Sequence, residues 1–313
     1  VEILYEMKPK SDEGNATFSF GGTSYFEMNL ALGLLYFVKM GCEYAVLEVG
    51  CGGRYDATNV IEKSVVSVIT NIDYDHREIL GKTLKKIAWQ KAGIIKDNGM
   101  VFTAEKRRSL IKVFQDECNL KGAQLNIVKS KGDHRDSNFN LASAVLKYLN
   151  IDERCIQRSK DVQVPCRFEY IQRIPKVVLD GAHNRAKIAA TVKQLSEIEY
   201  KKLYLVIGLK GNKDPDEILS QIIPFADYIN ITRFQTLAFK GMSLNVIEGA
   251  SRKYMKKGSK VKIFTDSFMA VEEAIQAASK DDLVLITGSL YMSGELRARW
   301  YPEENILKKR QSF

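Results

Sequence analysis

A chain of 313 residues, 45% hydrophobic and 27% charged, can bury two sizeable cores, and its composition excludes a disordered protein. Its net charge of +9 and isoelectric point near 9.1 suit anionic ligands, but the basic residues are spread out and no RNA-binding signature or zinc-finger spacing occurs, which sets nucleic acid aside. No apolar run reaches the length of a membrane span, no signal peptide opens the chain, and its five cysteines include no CxxC pair, so reduced thiols in a cytoplasmic interior are expected.

The chain opens on Val, as a fragment or processed form does, and residues 1–22 are turn-rich, which predicts a surface loop. Apolar positions surround nearly the whole of residues 25–40 (YFEMNLALGLLYFVKM), predicting a helix packed inside its domain. Residues 45–49 (AVLEV) read as a buried strand with Glu48 near its end, followed by a turn of Gly50, Gly52 and Gly53. A second apolar run, residues 65–70, leads to NIDYDH and so to Asp75 and His76; the helical segment TLKKIAWQKAG then carries Lys91. A strand near 100–103, a helix near 106–121, a strand over 124–128 and a capped helix within 132–150 follow. Polar residues between 151 and 164 mark a domain boundary. Beyond them the alternation repeats: strands at 177–180, 203–208, 227–231, 261–264 and 283–288, with helices between and after them. The fold class is α/β, with two domains and mostly parallel sheets, the second Rossmann-like.

Such folds bind ligands at the carboxyl ends of their strands. Only three histidines occur, and two lie in strand-end motifs, His76 in YDH and His183 in DGAHN. Glu48 and His76 could share a divalent ion; oxygen plus one imidazole suits Mg²⁺ or Mn²⁺ poorly to moderately, and zinc would normally recruit more N or S ligands. The bland alternatives are a Glu48–Arg54 salt bridge, an Asp180 that caps the helix after it, and an Arg167 paired with Glu169 or Asp180. No GxGxxG and no GxxxxGK[ST] occurs in the chain.

LEVGCGGRYDATNV, ITNIDYDHREILGKTLKKIAWQKAGII, VPCRFEYI and VLDGAHN, in this order, resemble folylpolyglutamate synthase/dihydrofolate synthase, a branch of the Mur ligase superfamily. YFEMNLALGLLYF, HRDSNFNLA and TGSLYMSGELR resemble further segments of the family, so the likeness covers nearly the whole chain.

The resemblance implies a Mur-ligase-like central ATP-binding domain over 1–158, N-terminally truncated and without its phosphate loop, followed by a C-terminal Rossmann-like domain over 159–313, with the active cleft between them. It implies a monomeric, cytoplasmic, ATP-dependent ligase that phosphorylates the γ-carboxylate of a folate (tetrahydrofolate or dihydropteroate) and joins L-glutamate to it. By similarity Glu48 and His76 ligate Mg²⁺, and Lys91 matches a lysine that family members carbamylate. Arg167, Asp180 and His183 match residues that reach nucleotide phosphates, ribose or glutamate, with Asn184 and Ser289 as lesser candidates. Lys91 and His183 are the expected catalytic residues.

The chain departs from the family pattern at several positions. Cys51 stands for Leu, Gln90 for Glu, Arg135 for Gln, Cys166 for Gly and Arg185 for Pro. These departures, with the absent phosphate loop, leave a second reading open: a non-catalytic homologue that binds folate or nucleotide.

Overall fold

The computed structural model describes Met7 and residues 22–132, 134–234 and 240–309, so the surface loop expected over 1–22 lies, Met7 and Gly22 apart, outside the described residues. The chain divides into two compact units, Val1–Asp161 and Val162–Phe313.

In the first unit three short parallel strands form a sheet in the order β1 (Val66–Ile69), β2 (Met100–Thr103), β3 (Gln124–Ile127). Helices Leu84–Ala92 and Arg108–Lys121 pack on one face and bury Ile87, Ala92, Leu110 and Phe114 against Ile69 and Val101. Helix His134–Tyr148 covers β2 from the other face through Leu141 and Phe102. Each boundary has a local cause. Thr83 caps the first helix by accepting the Lys86 N–H at 3.2 Å, and Gly122 ends the second in a left-handed conformation at φ 62°.

Two expectations fail here. Residues 45–49 are extended but join no sheet among the described residues, and Val46 is 93% exposed. An apolar run predicts a strand only if a partner edge lies beside it, and pairing is non-local information. Helix Tyr25–Lys39 forms, with a reciprocal cap between Ser24 and Glu27, yet buries none of its residues. Its packing partner is the single turn Ala57–Val60, too small to cover an all-round apolar helix.

The second unit holds a six-stranded sheet in the order β4 (Glu169–Gln172), β5 (Lys176–Leu179), β9 (Leu283–Thr287), β6 (Leu203–Ile207), β7 (Tyr228–Ile231), β8 (Lys260–Ile263). Only the β4–β5 pairing is antiparallel. The central strands β6 and β9 are buried at every residue, which is why LYLVI and LVLIT read as unbroken apolar runs. Helices Arg185–Leu195, Pro215–Ile222 and Leu244–Arg252 close one core, and Ser267–Ala277 and Leu290–Arg297 close the other. Because β9 lies between β5 and β6, the loops after β5, β9 and β6 meet at one carboxyl edge.

Candidate active site

In the first unit the glycine turn is seated on the end of the helix that carries Lys91. Gly53 has φ 148°, and a Cβ there would fall 3.1 Å from the Gln90 carbonyl and 3.2 Å from that of Lys91. The Arg54 N–H bonds the Gln90 carbonyl at 2.8 Å. Asp56 ties the turn from within, accepting the Cys51 N–H at 2.7 Å and the Thr58 hydroxyl at 2.6 Å. Burial would raise its carboxyl, but these bonds hold it below the ordinary range.

Burial pushes the Cys51 thiol up; the Lys91 charge opposes this, and Asp56, Asp75 and Glu78 add to it. The turn, the Lys91 helix and the Asp75–Glu78 loop therefore act on one locus. His76 begins helix Arg77–Leu80 in the left-handed conformation, φ 47°, and its side chain is exposed. Glu48 is exposed on the unpaired extended segment. Among the described residues Glu48 bonds to no cation; Arg54 pairs instead with Glu117, Nη2 to Oε2 2.6 Å, and lies 4.0 Å over the Trp89 ring. The Glu48–Arg54 salt bridge is thus absent among the described residues.

Among the described residues no three His, Cys, Asp or Glu side chains stand together as a metal cage. Glu48 and His76 are both exposed; one carboxylate and one imidazole are too few donors for a zinc site, whereas Mg²⁺ keeps most of its coordination for water and phosphate oxygens. A groove of about 670 Å³ lined by Leu80, Trp89, Val113 and Leu120 contains none of the expected site residues.

In the second unit, Asp180 follows β5 and is 6% exposed. Its carboxylate accepts the Thr191 hydroxyl; burial still raises its pKa. It faces protein donors, and the cap of helix Arg185–Leu195 is Asn184, whose Oδ1 accepts the Lys187 N–H at 3.0 Å. Ser289 likewise caps helix Leu290–Arg297. His183 is held at both nitrogens, Nδ1 2.8 Å from the Gly181 carbonyl and Nε2 3.1 Å from Lys187 Nζ. A carbonyl can only accept, so Nδ1 carries a proton and Nε2 faces the Lys187 ammonium.

Arg167 is exposed, and among the described residues its guanidinium forms no ion pair. Glu169 is not its partner: that carboxylate is 7% exposed and bound by Arg297, Nη2 to Oε1 2.8 Å and Nε to Oε2 3.0 Å. The same carboxylate accepts the Cys166 N–H at 2.9 Å. Cys166 and Phe168, on either side of Arg167, both take left-handed conformations, φ 54° and 50°. Sequence reasoning missed Lys187, Arg297 and the role of Glu169; the one signal was a charge, Glu169, opening the strand EYIQ.

A glycine turn beside a Lys-bearing helix thus lies in one α/β unit, and an exposed Arg and an imidazole held at both nitrogens lie at the carboxyl edge of another. Residues 2–146 match the Mur ligase middle domain and residues 166–290 the Mur ligase, glutamate ligase domain. The chain is 29% identical over 311 residues to a probable bifunctional folylpolyglutamate synthase/dihydropteroate synthase of Halobacterium salinarum, covering 88% of this chain and 37% of that protein. It spans little more than a third of that relative's length. The crystal structure of folylpolyglutamate synthase from Thermotoga maritima superposes with a TM-score of 0.79 at 27% identity, over 96% of this chain and 75% of that one. A bifunctional folylpolyglutamate synthase/dihydrofolate synthase of Yersinia pestis, complexed with AMPPNP and a Mn ion, gives 0.77 at 25% identity, over 90% and 72%. The chain belongs to the Mur ligases, in the branch of the folylpolyglutamate and dihydrofolate synthases.

Proposed function

We propose that this chain carries out ATP-dependent amide ligation, joining L-glutamate to the γ-carboxylate of a folate such as tetrahydrofolate, or to the benzoate carboxylate of dihydropteroate. The observation that carries the reading is the order of the two matched domains, middle then glutamate ligase, along 2–146 and 166–290. A carboxylate and an amine do not condense unaided, so the folate carboxylate takes the γ-phosphoryl of ATP with loss of ADP. The glutamate amine then attacks the acyl carbon, releasing phosphate and a proton. Positioning and charge neutralisation dominate such transfers.

Residues 1–158 form the ATP-binding domain in this reading and 159–313 the glutamate domain. Glu48 and His76 would hold Mg²⁺, which would supply charge neutralisation at the phosphates. Lys91, beside the glycine turn, would support that site as a carbamate, which turns a cation into a carboxylate-like group. Arg167 offers phosphate oxygens a bidentate fork that lysine cannot reproduce. Asp180, three residues before His183, is held by the Thr191 hydroxyl at the end of β5. His183 presents a fixed tautomer at the same edge, while Asn184 and Ser289 shape the helix starts beside it. The protein acts in the cytoplasm as a monomer.

The test is ADP formation by the whole protein with ATP, L-glutamate and either tetrahydrofolate or dihydropteroate. The expected result is turnover that requires both glutamate and a pterin, with a product one glutamyl residue heavier. Phosphate release that needs no pterin refutes the reading.

A further inference from the structure

We propose that Arg297 and Glu169 are positioning residues whose buried ion pair holds the loop 166–168 in the one conformation that presents Arg167 to nucleotide phosphates. The proposal rests on the reading of Arg167 given above. Its starting point is the backbone. Non-glycine residues avoid positive φ, and here two of them, Cys166 at 54° and Phe168 at 50°, flank a single exposed arginine. Such a loop persists only where its surroundings over-determine it.

The surroundings do so through a buried carboxylate: Glu169 accepts the Cys166 N–H at 2.9 Å. The Cys166 carbonyl in turn receives the Gly181 N–H at 2.7 Å, which joins the loop to the turn holding His183. A carboxylate 7% exposed keeps its charge only with a partner, and Arg297 supplies it from the end of helix Leu290–Arg297. Both Glu169 oxygens meet the guanidinium, at 2.8 and 3.0 Å, and Arg297 is itself 8% exposed beneath the Tyr301 ring at 4.2 Å. Without Arg297, the Glu169 carboxylate is drawn toward water, which weakens its hold on the Cys166 N–H. The arginine then samples several positions, and its preorganisation for phosphate is lost.

The alternative is an ion pair that merely stabilises the fold. A double-mutant cycle in the whole protein separates the two. Arg297→Met is expected to lower kcat/KM for ATP by about ten- to a hundredfold in the native background. In an Arg167→Ala background it should lower it less than about threefold, since the group it positions is gone. Arg297→Lys keeps the charge without the fork and should fall between; it replaces Arg297→Met in the cycle if that variant does not fold. Hydrogen exchange over 164–170 is expected to quicken in the Arg297 variant. A native kcat/KM in Arg297→Met, or an equal loss in both backgrounds, overturns the proposal. If Arg167→Ala itself leaves kcat/KM for ATP unchanged, the reading of Arg167 as a phosphate ligand falls. Exchange over 164–170 then judges the clamp alone: quickening supports it, and no change overturns it.

Discussion

Replacing Glu105 by glutamine is expected to remove about 2 kcal/mol of acid-sensitive stability from the first unit. Glu105 lies just after β2 and is 2% exposed. One oxygen accepts the Ile72 N–H at 2.8 Å; the other accepts the N–H groups of Lys106 and Arg107, each at 2.9 Å. Arg107 grips both oxygens, Nε to Oε1 and Nη2 to Oε2 at 2.8 Å each, and also donates to the Ile72 carbonyl. Ile72 is thereby fixed at both its N–H and its C=O, four residues before His76. Burial alone would raise the Glu105 pKa, but the bonds from Arg107 and Ile72 prevail and bring it from 4.5 down to about 2. A depressed folded pKa means that the stabilisation is complete above about pH 4.5 and is lost as pH falls toward 2. By linkage such a displacement corresponds to about 3 kcal/mol, which the 43% exposure of the Arg107 side chain reduces to about 2. Urea unfolding of the native protein and of Glu105→Gln, at steps from pH 7 to pH 3, is the measurement. The variant should be weaker at pH 7, and the two curves should converge on acidification. Curves that stay parallel refute the reasoning, since the carboxylate would then contribute nothing that titrates.

Arg54→Ala should destabilise the first unit by about 2–3 kcal/mol, because Glu117, 7% exposed, keeps only Lys121 at 3.4 Å; an unchanged melting temperature would show that the pair is idle. Arg167→Ala should cost roughly 2–4 kcal/mol of transition-state stabilisation, read as ADP formation, with little change in melting temperature. Normal turnover, or a loss that follows unfolding, removes Arg167 from the site.

The second unit was legible because its strands are buried on both faces: VVL, LYLVI and LVLI are apolar without interruption and stand between turn signals. The first unit was read less well. AVLEV has the same composition as a core strand, but whether it is one depends on an edge that sequence periodicity does not name. At the site, Asp180 and His183 could be placed at a strand end from their neighbours, whereas their partners could not. Thr191 lies 11 residues beyond Asp180, and Arg297 lies 128 beyond Glu169. Ion pairs of that separation leave no local trace, so Arg54 was set against Glu48 when its partner is Glu117. The caps at Asn184 and Ser289 were visible as cap chemistry, an amide and a hydroxyl each standing just before a helical segment.

The departures from the family pattern fall mostly where the main chain carries the structure. At position 166 the pattern has glycine, and the backbone there, φ 54°, is one that glycine adopts freely. Cysteine costs about 1–2 kcal/mol at such an angle, and its burial at 3% exposure offsets part of this. Burial also pushes that thiol up to about 11, so it is inert. Arg185 opens helix Arg185–Leu195, the position where proline is tolerated because its missing N–H would be unpaired anyway; an exposed arginine fits equally well. Gln90 meets the glycine turn through its carbonyl, which accepts the Arg54 N–H whatever the side chain. Cys51 packs as a small apolar group at the margin of the first core. Of these four changes only Gln90 for Glu removes a charge, and the bond that position makes to the glycine turn is through its carbonyl. The case for retained chemistry therefore rests on Glu48, His76, Lys91 and Arg167, where the residues of the pattern are kept.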